Sequence, residues 1–185
     1  MFRATFFALV LVAVANPTLA DEVTDTLSSA LEAYQDGDID YALEELDYAK
    51  QLLQEMTTQE LAGFLPEAPG GWTRELTDNG VTAGLSMMGG GAGAGAEYSN
   101  GVDTVEITLI ADSPMVTMFA GMISNAGMLG MKMHRVGRQK FVEDDDELSG
   151  LIDNRILIQA KGAAPEGMIP LLEDIDFKAL EDFGG

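Results

Sequence analysis

The stretch Gly101–Gly130, GVDTVEITLIADSPMVTMFAGMISNAGMLG, constrains the fold most, because it holds a strand, a turn and a helix in immediate succession. Val105, Ile107 and Leu109 alternate with Thr104, Glu106 and Thr108, which predicts a strand with one dry and one wet face. Asp112-Ser113-Pro114 is a helix start: a side chain able to cap, then Pro where its missing N–H costs nothing. Beyond it, Met115, Met118, Phe119, Met122, Ala126 and Leu129 fall on one helical stripe, while Thr117, Ser124 and Met128 point away. The expectation is that this stripe covers the dry face of the strand before it.

The elements around this unit follow from the same periodicities. Val81–Met88 opens a strand-rich region. Gly89–Gly95, GGGAGAG, lacks the helix and the distant acidic residue of a dinucleotide fingerprint, and lacks the Lys-Ser or Lys-Thr of a P-loop. A flexible connection, or a strand crossing too close for side chains, explains it better. Asn100-Gly101 is a hairpin turn. Lys132–Val142 reads as a strand interrupted at Gly137-Arg138, Glu143–Glu147 (EDDDE) as a solvated hairpin tip, and Leu148–Ile152 with Arg155–Lys161 as a hairpin turning at Asp153-Asn154. Pro165–Phe183 closes the domain with a short helix, a break near Asp176, and Phe177, Leu180 and Phe183 packing inward. The order expected for residues 72–185 is β-β-β-α-β-β-β-α, an α+β domain with a mainly antiparallel sheet.

Upstream, Val23, Leu27, Ala30, Leu31 and Tyr34 have helical spacing, as do Ala42, Leu43, Leu46, Ala49, Leu52, Leu53 and Met56 within Ile39–Leu65. Asp36-Gly37-Asp38 joins them too tightly for anything but an antiparallel pair, a helical hairpin over residues 21–65. Asp36, Asp38 and Asp40 begin like a calcium loop, but Tyr41 stands where Gly is needed and Asp47 where a bidentate Glu belongs. A cap on the second helix through Asp38 or Asp40 accounts for them. Residues 66–71, with two prolines and two glycines close by, form a linker, and Trp72 anchors it to the domain that follows.

The first twenty residues read as a secretory signal peptide: Arg3, the apolar run Phe6–Val14, the break at Asn16-Pro17, and Thr18-Leu19-Ala20 before a cleavage site. The apolar run is shorter than the roughly 20 residues a membrane span needs. The expected product is periplasmic, with no membrane insertion after cleavage. The chain carries 31 acidic against 10 basic residues, a net charge of −21, so nucleic acid and anionic lipid are not expected partners. It has no Cys, which excludes disulfides and Cys-based zinc sites, and its single His, His134, sits in MKMHR with no nucleophile motif such as G-x-S-x-G anywhere in the chain. No residue is assigned a catalytic, cofactor-binding or metal-binding role, and no cofactor is expected.

The segment around Tyr34, Gly37-Asp38, Ala42 and Ala49 resembles one tetratricopeptide unit, a helix pair of about 34 residues that cannot bury its own face alone. From Phe64 onward, LPEAPGGW (Leu65–Trp72), MGGG (Met88–Gly91), Asp112-Ser113-Pro114-Met115 and IDFKAL (Ile175–Leu180) resemble a family of small uncharacterised exported bacterial proteins. That resemblance implies an α+β domain and brings no activity with it. The leading expectation is a non-catalytic periplasmic interaction or accessory protein whose partner is another protein or a second copy of the chain. Two alternatives stand beside it. One is copper(I) handling through Met128, Met131, Met133 and His134, since thioethers select that ion. The other is an enzyme working through paired carboxylates, which requires two of them to converge across a pocket.

Overall fold

The computed structural model describes residues 19–77, 81, 84–85 and 90–184. The signal segment expected at residues 1–20 lies outside them up to residue 18, as does most of Val81–Met88. The chain divides into two compact units, with the division falling within one helix at Leu52–Leu53.

The first unit is a helical hairpin. Helix α1 (Leu19–Asp36) ends where Gly37 takes a φ of 84°. There the Gly37 and Asp38 N–H groups bond back to the Tyr34 and Ala33 carbonyls, the paired bonds that satisfy a helix end closed by a left-handed glycine. Helix α2 (Ile39–Ala62) starts at once, and Asp38 caps it by accepting from the Tyr41 N–H at 3.1 Å, so the acidic turn does serve as a cap. The buried residues of the hairpin are mostly small: Val23, Thr26, Ala30 and Ala33 on α1, with Ala42, Ala49 and Leu52 on α2. Alanine at the contact lets two helices approach closely.

The second unit is an antiparallel sheet flanked by helices, the α+β architecture expected. Its strands are β1 (Thr73–Leu76), β2 (Ala92–Ser99), β3 (Thr104–Ala111), β4 (Lys132–Val136), β5 (Gln139–Asp144), β6 (Glu147–Ile152) and β7 (Ile156–Lys161), in spatial order β1-β2-β3-β7-β6-β5-β4. The first strand lies earlier than Val81, and the described residues Val81, Gly84 and Leu85 are helical. The segment expected as one interrupted strand is two, because Gly137 takes a φ of 58° and a two-residue turn returns the chain on itself. The turns expected at Asn100-Gly101 and at Asp153-Asn154 are present, and the tip expected over Glu143–Glu147 narrows to Asp145-Asp146, with Glu143, Asp144 and Glu147 in the paired strands. Asn100 holds the first of them by accepting from the Val102 and Asp103 N–H groups.

Helix α3 (Pro114–Asn125) begins as expected, with Ser113 accepting from the Met115 N–H and Pro114 in the first turn. The side it covers is the reverse of the expected one. The dry face of β3 (Val105, Ile107, Leu109, Ala111) continues through Ile156, Ile158 and Ala160 of β7 and Leu148 and Ile152 of β6. It is covered by α4 (Pro165–Glu173), α5 (Phe177–Glu181) and the residues Leu61 and Leu65. Helix α3 instead packs on the opposite face, where Ile110, Leu157 and Leu151 form an apolar row. The reversal has a local cause. Ile110 breaks the wet phase of β3 at its end, and Asp112, at φ 52°, turns the chain over that residue. Arg155 holds the turn with Nε and Nη2 at 3.2 and 3.1 Å from the Asp112 carboxylate.

The stripe on α3 is shifted accordingly. Val116 and the following Ala126 are buried and Met115, Phe119 and Ile123 pack beside Val116, whereas Met118 and Leu129, expected to be hidden, are 63% and 64% exposed. Of the two readings of the glycine run, the close approach fits, but Gly93 and Gly95 lie in β2 and what crosses them is Thr77 and the helical residues Val81 and Leu85, not another strand. A Cβ on Gly93 would lie 2.5 Å from Val81 Cγ1 and 2.6 Å from Leu85 Cδ1, and one on Gly95 would lie 2.6 Å from Thr77 Oγ1. The alternating Ala92, Ala94 and Ala96 face the main core. Trp72 packs against that core, and the Tyr98 hydroxyl donates to the Pro66 carbonyl at 2.6 Å, tying residue 66 to β2.

Candidate functional site

Within the hairpin unit, most of the large apolar side chains are exposed, Leu52 being buried. Leu27, Leu31 and Tyr34 on α1 and Ile39, Leu43 and Leu46 on α2 are all 44–65% exposed. Both sets have the i, i+4, i+7 spacing of a single helix face. Each set also follows the buried stripe of its own helix by one residue, a rotation of about 100°. In an antiparallel pair, equal rotations of this kind carry both stripes to the same side of the hairpin. A crossing contact fixes which side that is. The Tyr48 hydroxyl donates to Glu22 Oε1 at 2.6 Å, and these two residues precede the buried stripes by one. They mark one side, where Tyr41 and Tyr48 are also exposed, and the six residues of the leucine-rich stripes share the other. The result is a two-helix-wide apolar strip with Asp40 and Asp47 along its α2 edge.

On the sheet unit, the α3 side grades from apolar to acidic. Next to the Ile110–Leu157–Leu151 row comes Thr108–Gln159–Ser149, and then a row pairing Glu75, Glu97, Glu106, Lys161, Glu147 and Asp144 in succession across six strands. Like charges placed directly opposite one another repel. Lys161 relieves this at the centre, with Nζ 3.0 Å from Glu106 Oε2. Glu147 Oε1 accepts from Gln159 Nε2 at 2.6 Å and from Ser149 Oγ at 2.7 Å. Phe119 and Met122 wall an open cleft of about 750 Å³ above this row. Among the described residues, no group of three or more His, Asp or Glu side chains is arranged to hold a metal ion.

At the far edge, His134 and Glu143 lie on the dry side of β4 and β5, since their partners Phe141 and Leu148 belong to the main core. His134 Nε2 contacts Glu143 Oε2, and Lys132 Nζ reaches the same oxygen at 2.9 Å. The bond from His134 first, then that from Lys132, holds the Glu143 carboxyl below the usual carboxylate range. That is the wrong direction for a general acid. Met133 pairs with Val142 and alternates to the face opposite His134. Met128 is 84% exposed. Met133 and His134, two of the four residues considered for copper(I), therefore do not share a face.

No family model matches the chain, and neither a curated protein nor a solved structure matches it. Among the described residues, no helix is long and apolar enough to cross a membrane. The exposed strip on the hairpin is the feature that periodicity alone did not isolate. Two adjacent stripes on each helix are apolar, and the one clue in the sequence was residue size: alanines on one stripe, leucines on the other.

Proposed function

We propose that this is an exported, non-catalytic accessory protein of the periplasm that holds a protein partner on the apolar strip of its N-terminal hairpin. The observation that carries the reading is the burial pattern of that hairpin, with alanines at most of the helix contact and six large apolar side chains exposed together on one side. Isolated surface leucines need no explanation, but a contiguous strip with polar edges is what an interaction site looks like. The resemblance to a single tetratricopeptide unit supports the same reading, since one such unit leaves a face uncovered. So does the resemblance of the remainder to exported proteins.

Site-directed photocrosslinking tests it. With a benzophenone amino acid in place of Leu43, discrete adducts are expected in the periplasmic fraction. The same group in place of Asp25, away from the strip, is expected to give none. Absence of adducts from positions 31, 34 and 43 alike would contradict the proposal.

A further inference from the structure

We infer that the occupant of the strip is a cationic amphipathic helix, supplied by another protein, whose Lys or Arg row lies along α2. The inference rests on the docking reading above and adds the partner's chemistry to it. A trough between two antiparallel helices receives a third helix by ridge-into-groove packing, with interaxial distances of about 8–10 Å. Its apolar residues would meet Leu27, Leu31, Leu43 and Leu46, all half exposed.

Charge selects among helices that could do this. Residues 19–52 carry ten carboxylates and one lysine, Lys50. A second copy of the hairpin would bring the same excess to the contact, and like charges across an interface cost affinity. A cationic helix gains from it. The charge is also unevenly placed around the strip. On α2, Asp40 and Asp47 are seven residues apart and border the Leu43 edge, with Glu44 just beyond. On α1, the residues at the same offset are Ser28, Glu32 and Gln35, so that side carries one carboxylate against three on α2. The partner's basic row therefore belongs on the α2 side, which orients the bound helix about its own axis.

The test uses the full mature chain and two synthetic helical peptides of one leucine pattern, one with lysine and one with glutamate on the flanks. Titration is followed by calorimetry, with sedimentation equilibrium of the protein alone. The lysine peptide is expected to bind at one site and to weaken with added salt. Its affinity is expected to fall roughly three- to tenfold in the Asp40→Asn/Asp47→Asn variant, the effect of losing two rim ion pairs. Asp25→Asn/Asp36→Asn, on the far side of α1, is expected to leave it unchanged, and Leu31→Gln/Leu43→Gln to abolish it. Equal binding of both peptides, or lysine-peptide binding that ignores the leucine substitutions, overturns the inference. Dimerisation lost in Leu31→Gln/Leu43→Gln, without peptide binding, overturns the cationic partner but keeps the docking strip. Neither dimerisation nor peptide binding, together with no crosslinks from Leu43, removes both.

Discussion

The two units put opposite residues inside. In the sheet, the largest apolar side chains are fully buried, among them Tyr98, Ile107, Leu109, Phe141, Leu148 and Ile158, and glycine appears where another segment must come close. Among the described residues of the hairpin unit, four of the seven buried ones are alanine and Leu52 is the one buried leucine, while Leu27, Leu31, Leu43 and Leu46 are outside. Burial of apolar area stabilises by about 25 cal/mol per Å². A sheet that buries its largest side chains has used most of what its sequence can give. A hairpin that leaves its largest apolar residues in water has not, and the remainder is available to a partner.

Substitutions that shorten a leucine should separate the units most sharply. Leu109→Ala is expected to destabilise the sheet unit by about 2–5 kcal/mol in urea unfolding, the cost of a core cavity. The same change at Leu43 should cost far less. An equal loss at both positions would break the contrast. Gly93→Ala comes next: its methyl would press on Val81 and Leu85, and overpacking of this kind costs about 1–3 kcal/mol. A neutral result would mean that Val81 and Leu85 can move away from Gly93 at little cost.

A pH series sharpens the picture of how residue 66 is tied to the sheet. Burial is the main cause that pushes the Tyr98 hydroxyl from its ordinary 10.0 to about 12, opposed by the nearby Arg74 charge. Between these values the unfolded chain loses the proton while the folded one keeps it, so stability falls as pH rises through that window. Tyr98→Phe is expected to cost about 1 kcal/mol at neutral pH through the lost hydrogen bond to Pro66. That deficit should shrink above pH 10 and vanish or reverse toward 12, as measured by denaturant titration across the series. A constant deficit would show that the hydroxyl does not titrate differently in the two states.

Much of the sheet unit was legible because strand alternation has only two phases. Val105, Ile107 and Leu109 declared one face, Ile156, Ile158 and Ala160 the same face of their partner strand, and Ser113-Pro114 the helix start. Helix faces were harder to read. On α3, Met115, Val116, Met118, Phe119, Met122 and Ile123 fill one continuous arc of about 160°, so periodicity did not say which edge of it, Val116 or Met118, turns inward. Ile110, the residue that draws α3 to the far face, looked like an ordinary member of a strand. The hairpin had the same ambiguity between neighbouring stripes, decided by Ala30, Ala33, Ala42 and Ala49 fitting where Leu31 and Leu43 would hold the helices apart. The acidic row across the sheet depends on strand order and register. It joins residues 75 to 161, and no local spacing reveals it.

The most direct test of the central claim is the smallest effect of all. In the unliganded protein, Leu31→Gln with Leu43→Gln should leave hairpin stability within about 0.5 kcal/mol of the parent, as followed by helical circular dichroism in urea, because both side chains already face water. A loss of about 2 kcal/mol or more would place those leucines in a core, and the docking strip would not exist.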